Sequence, residues 1–244
     1  AKDKVKEIEL LIFKRQQEKI LKQQAEEARK IKELEEQKLE KQKIAREQEL
    51  VGQKIEENKK TEKERKLKAL LNKKANWRDF QRILQENDIT ILYHFTDQSN
   101  LKSIQENGGL YSWYYCDKNN IVIPMTGNST LGRSLDLKFG LEDYVRLSFI
   151  KDHPMKYIAI NEGRITKPRM LKVSVEVCYF ENTRFSDMNA ADGRHKDSDS
   201  VEFLQSLRFD LFKKSFFDLS PIEKKKFQAE ILIRSWIPIE YISN

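Results

Sequence analysis

The chain has 244 residues, with 46 Lys+Arg against 39 Asp+Glu, a net charge of +7, three histidines and two cysteines. Two thiols, Cys116 and Cys178, are too few for a disulfide-built scaffold and lack metal-ligand spacing, so reduced thiols in a cytoplasmic protein are the expectation. No apolar run approaches the roughly 20 residues that a membrane-spanning helix needs.

The charge is uneven. Residues 1–75 hold 23 Lys+Arg and 16 Asp+Glu, so the remaining residues carry 23 of each sign and balance. The same 75 residues contain no Pro, one Gly (Gly52) and one aromatic (Phe13). This reads as two domains: a charged helical arm over 1–75 and a compact domain over 76–244, long enough to bury a core. The first residue is Ala, as in a trimmed chain or a piece of a longer one.

The arm is built from Glu, Lys, Gln, Ala, Leu and Arg, all strong helix formers. Gly52, Asn58 and the Thr61–Glu64 capping-box pattern predict a break near 52–61 and a second helix to about Asn72. The apolar seam is thin. Ile20/Leu21, Ala25, Ala28, Ile31 and Leu34 give three- and four-residue steps, the spacing turns irregular after Leu39, and residues 8–13 form an apolar knot. That supports at most three weak coiled-coil heptads. The arm therefore reads as a device for oligomerisation or partner docking, its mixed charges forming a solvated face rather than a nucleic-acid patch.

In the compact domain, Asn76 is set to cap a short helix with Trp77, Phe80, Ile83 and Leu84 on one face. Ile89–Phe95 reads as a buried strand, and Asn100–Glu106 as a helix stopped by Asn107-Gly108-Gly109. Ile121-Val122-Ile123 is a short apolar run. Asp143–Phe149 and Met170–Val177 alternate with period two, as strands with one wet face do. Tyr157–Ile160 reads as part of this strand-and-loop region. Phe185–Ser200 is a polar loop, and Ser200 and Ser220-Pro221-Ile222-Glu223 are helix starts. Ala229–Ile233 reads as the last long strand. The sum is an α+β fold with antiparallel or mixed sheet; no GxGxxG or Walker loop is present.

Four motifs in register carry a resemblance. Tyr93-His94-Phe95-Thr96 with Asn100-Leu101, Ile104 and Asn107–Leu110 comes first. Leu141–Val145 with Phe149 and His153-Pro154-Met155 follows, then Phe185–Ala191, then Gln228–Ile233 with Pro238 and Ile242. In this order and spacing, residues 91–242 resemble the DarT family of DNA ADP-ribosyltransferases; the arm lies outside the resemblance. The resemblance implies split antiparallel or mixed sheets around an NAD cleft. It implies transfer of ADP-ribose from NAD to a base in single-stranded DNA, with NAD as substrate and no metal. A toxin or anti-phage role, and a macrodomain antitoxin as partner, are implied in the same way. Transfer to RNA or protein, NAD glycohydrolysis, and a non-catalytic interaction role stay open.

The same resemblance assigns residues. Glu230 is the catalytic carboxylate, and the chemistry agrees: loss of nicotinamide builds positive charge on the ribose, which a fixed carboxylate stabilises. Arg133 sits where the family carries a functional arginine, with Arg146 its competitor; a guanidinium fork suits phosphate oxygens. His94 and Thr96 are placed at NAD, and Tyr144 and Phe149 are candidates for stacking on nicotinamide. Trp113 and Tyr115, beside Tyr114 and Lys118, make an aromatic and basic cluster suited to single strands. Arg146 and Asn189 are further substrate-binding candidates.

Overall fold

The computed structural model describes residues 2–243, without the side chains of residues 2–13, 16, 28 and 63. It divides into two units, at 63/64 rather than at the composition break of 75/76.

The first unit is helical throughout. Helix α1 runs unbroken from Lys2 to Ala69, its last turn belonging to the second unit. The break expected at 52–61 is not there. Thr61 donates its hydroxyl back to the Glu57 carbonyl at 2.9 Å, as a mid-helix threonine does, instead of capping a new helix. A single Gly52 costs only about 1 kcal/mol among strong helix formers. Ile20, Leu21, Ile31, Leu34, Leu39, Ile44, Leu50, Val51 and Ile55 are all exposed. Pairs such as Glu26–Lys30 and Arg29–Glu33, one turn apart, support the exposed helix. The apolar knot at 8–13 and the seam position Ala28 lie outside the described side chains.

The second unit is a seven-stranded antiparallel sheet beside a two-stranded one. Its strands are β1 (Ile91–Asp97), β2 (Gly109–Tyr111), β3 (Tyr144–Ser148), β4 (Pro168–Ser174), β5 (Thr183–Ser186), β6 (Asp197–Ser198), β7 (Glu230–Arg234), β8 (Trp236–Pro238) and β9 (Ile242–Ser243). The large sheet has the order β6-β5-β7-β3-β1-β4-β9, and β2 pairs with β8. Around them lie α2 (Trp77–Glu86), α3 (Leu101–Glu106), α4 (Trp113–Lys118), α5 (Thr130–Phe139), α6 (Pro154–Asn161), α7 (Val201–Gln205) and α8 (Pro221–Lys226).

One face of the large sheet makes the core. Leu92, Val145, Leu147, Val173, Phe185, Ile231 and Ile233 meet Phe80, Ile83 and Leu84 of α2 and Leu204 of α7. Burying each of these side chains is worth about 2 kcal/mol. Asn76 marks the start of α2 but its side chain makes no capping bond. Ser200 and Ser220 do cap their helices, Ser220 with the full capping box to Glu223. Residues 157–160 are helical rather than extended, because His153 and Pro154 start α6 ahead of them. Helix α5 has no counterpart in the sequence reading.

The sheet is nearly split in two. β3 and β7 pair along five positions and β1 and β4 along seven, but β1 and β3 share only the pair Tyr93↔Ser148. Past that point the strands separate, and the space between them is where the site forms.

Candidate active site

Glu230 opens β7, paired with Ser148 of β3 on one side and Ser186 of β5 on the other. It is only 6% exposed. Its Oε2 accepts the Ala190 backbone N–H at 2.8 Å and lies 3.5 Å from Arg146 Nη1. Oε1 has no protein partner among the described residues. Burial pushes this carboxyl above the usual glutamate range, against the opposing pull of Arg146, the Ala190 N–H and His195.

Arg146, on β3, bridges two acids: Nη1 faces Glu230 and Nη2 holds Asp136 of α5. Asp136 is 2% exposed, and its other oxygen accepts from Trp113 Nε1 at 3.0 Å and Asn128 Nδ2 at 2.8 Å. Burial raises its pKa as well. The chain thus brings together two buried carboxylates with one guanidinium between them.

His94 stands where β1 leaves β3. Its Nδ1 lies 2.9 Å from the Arg146 carbonyl oxygen. A carbonyl only accepts, so Nδ1 carries the proton and Nε2 keeps a lone pair for a hydroxyl. Burial lowers its pKa, so the ring is neutral at neutral pH. Thr96, two residues on, is buried, and its hydroxyl accepts from Asn100 Nδ2 at 3.0 Å. Asn100 also bonds the Met125 carbonyl and N–H, tying the 121–129 loop to β1.

His94, Thr96, Trp113, Tyr144, Arg146, Asn189 and Glu230 line one cavity of about 350 Å³. That volume lies within the range of small-molecule sites. Asn189 turns the loop after β5, its Oδ1 accepting from the Ala191 N–H at 2.8 Å. This places the Ala190 N–H toward Glu230. Lys225 and Lys226 at the end of α8 pair with Asp192 and Asp187 and pin the same loop.

Three expected residues are not in that lining. Phe149 is 5% exposed in the core, its ring stacked on Phe212 at 5.1 Å. Strand alternation explains this: Val145, Leu147 and Phe149 share the core face, while Tyr144, Arg146 and Ser148 take the other. Tyr115 stacks on Tyr111 at 4.7 Å instead of meeting the cavity. Arg133 sits over the Trp113 ring at 4.8 Å and pairs with Asp117 at 3.4 Å, so it reaches the site only through that indole. Among the described residues there is no cluster of three or more His, Cys, Asp or Glu fit for a metal, and no helix long and apolar enough to cross a membrane.

The model for the family described as "ssDNA thymidine ADP-ribosyltransferase, DarT" matches residues 93–244. The chain belongs to the DarT family. Its fold agrees with two solved family structures. It matches Thermus sp. 2.9 DarT in complex with ADP-ribosylated ssDNA with a TM-score of 0.53 at 21% identity, covering 64% of this chain and 79% of that one. The same protein in complex with NAD+ gives 0.51 at 21% identity, with 64% and 80% covered. No curated protein matched the sequence. The DarT match begins at Tyr93 and leaves the arm outside it. As a DarT-family member the chain is an NAD-dependent ADP-ribosyltransferase, with NAD as its substrate.

Sequence reading missed Asp136, Asn128 and the buried His153, which also line the cavity. His153 carried a signal, standing just before Pro154 at a helix start. Asp136 carried none. On α5 its apolar neighbours Leu131 and Leu137 are exposed while the acid is buried, the reverse of what amphipathic patterning implies.

Proposed function

We propose that the cavity holds NAD with its nicotinamide ribose at Glu230, and that the chain transfers ADP-ribose to thymidine in single-stranded DNA. The observation that carries this reading is a buried carboxylate with one open oxygen sharing a cavity of about 350 Å³ with a neutral histidine. Glu230 Oε1 accepts the ribose 2-hydroxyl and stabilises the positive charge that builds as the C1–nicotinamide bond breaks. Nicotinamide leaves with the bonding electron pair. His94 Nε2 accepts a hydroxyl of the second ribose, and Thr96 beside it sets the wall. Tyr144 and Trp113 present ring faces to the planar groups of donor and acceptor. Thymine in a nucleotide has a single N–H, so joining that nitrogen to C1 releases one proton. A base must be unstacked to enter such a cleft, which favours single strands over duplex. A mark of this kind obstructs base pairing, and toxicity on expression follows from it.

The test is mass spectrometry of oligonucleotides incubated with NAD. A single-stranded oligonucleotide containing thymidine gains one ADP-ribose, one lacking thymidine does not, and Glu230→Ala abolishes the gain. Marked RNA or protein with unmarked DNA, or free ADP-ribose with no marked polymer, overturns the assignment.

A further inference from the structure

We propose that Asp136 is a positioning residue for the transfer: it holds one arm of Arg146 so that the guanidinium touches Glu230 at a single oxygen and leaves the other for the ribose. The proposal rests on the functional reading above and specifies how its site is kept in working order.

Both oxygens of Asp136 are already engaged within the protein, which leaves neither of them open to substrate. Oδ1 is engaged by Arg146 Nη2, and Oδ2 accepts two N–H donors, from Trp113 and Asn128. Those partners come from three separate segments, α4, the loop before α5, and β3, so the carboxylate is fixed from every side. Arginine and a carboxylate prefer a two-point fork. Released from Asp136, the guanidinium of Arg146 would turn to meet both oxygens of Glu230 and occupy the one the ribose needs. Held as it is, Arg146 contacts only Oε2, the oxygen that also accepts the Ala190 N–H.

The charge count points the same way. With both carboxyls ionised, two carboxylates and one guanidinium leave a net negative charge on the cavity wall, the sign that favours a developing ribosyl cation. Remove the charge of Asp136 and the wall becomes neutral. The other titratable groups facing this network are His94, bonded to the Arg146 carbonyl, His153, buried near Arg146, and His195, near Glu230. Burial keeps His94 and His153 neutral at pH 7, so neither replaces the lost charge.

The experiment compares wild type, Asp136→Asn, Arg146→Met and the double variant by steady-state NAD consumption across pH, with thermal unfolding alongside. Asp136→Asn is expected to lower kcat by at least about tenfold while the KM for NAD stays within about twofold. The acidic limb of the kcat profile moves to lower pH, because removing a neighbouring negative charge eases ionisation of Glu230. A residue that only props up the fold would slow the enzyme without moving that limb. If Asp136 acts through Arg146, adding Asp136→Asn to Arg146→Met costs no more than about a further twofold. Should Asp136→Asn alone fail to fold, that last comparison decides. Asp136→Asn with the wild-type rate, an unmoved limb, or a multiplicative loss in the double variant overturns the proposal. A wild-type chain that consumes no NAD overturns the functional reading, and the proposal falls with it.

Discussion

At the scale of single residues, Glu230 is a carboxyl buried at a cost to stability. Its folded-state pKa is raised by burial. Below the ordinary carboxylate range both folded and unfolded chains hold the proton. As pH rises, the unfolded chain loses it first, and stability declines through the folded pKa. Ionising this buried carboxyl therefore costs the fold stability as pH rises. Glu230→Gln keeps an acceptor for the Ala190 N–H and removes the charge. It should melt a few degrees higher than wild type at pH 7, with the gap closing below pH 4, while transfer falls by roughly a hundredfold or more. Calorimetry at the two pH values checks the first half and oligonucleotide labelling the second. Pattern alone does not single out Glu230 or His94, since a lone acid or imidazole on an apolar strand is more often structural; the motifs around them, which resemble a family, do. Phe149 was misplaced because an aromatic on an alternating strand looks the same on either face. The sequence favours Arg133 over Arg146, and only the fold reveals that Arg146 is the one across from β7.

At the scale of elements, α6 shows how a cap can override a pattern. Tyr157–Ile160 has the apolar density of a strand, yet His153 Nδ1 accepts the Met155 N–H at 3.3 Å and Pro154 follows at the first helical position. His153 is 3% exposed, and burial lowers its pKa to about 4 from an ordinary value of 6.5. The sign follows directly. Between those values the unfolded chain binds a proton that the folded chain refuses. The contribution is present above pH 6.5 and is lost as pH falls through about 4. Melting temperature should therefore drop across this window. His153→Asn, which preserves a cap acceptor, should show a shallower drop, and a scan of unfolding temperature from pH 7 to pH 4 on both chains compares them. An equal slope in the two would mean that the imidazole does not titrate with folding. Most other elements were readable because their signals are local: serine caps, glycine stops and period-two strands. α5 carries the same local signals, Ser129 at its start and Gly140 at its end, but its polar buried face breaks the apolar periodicity that would have joined them.

At the scale of the molecule, composition puts the seam at 75/76, whereas the structural division falls at 63/64. Lys73 and Lys74 resemble the arm in charge and belong to the compact unit by structure. Lys73 bridges to Phe180 in strand-like fashion, and the Lys74 N–H bonds the Tyr179 carbonyl at 2.8 Å. The Lys74 ammonium is buried against Phe80, donating to the carbonyls of Thr183 and Asp199 at 2.8 and 2.7 Å. Burial lowers its pKa to about 8, so at pH 7 it is still a cation, and those two oxygens have no substitute donor if it is cut away. Thr183 begins β5, the strand whose other end pairs with Glu230. Two truncations therefore behave differently. Removing residues 1–63 should leave the unfolding temperature and NAD consumption of the compact unit near those of the full chain. Removing residues 1–75 strips Lys74 and the half-buried Leu71 from the core edge. It should cost on the order of 3 kcal/mol, enough to lower the melting temperature by several degrees and, through β5, to loosen the wall that carries Glu230. Denaturant unfolding of the two fragments measures the difference. Equal stability would mean that the composition break, not the buried lysine, marks where the folded unit begins.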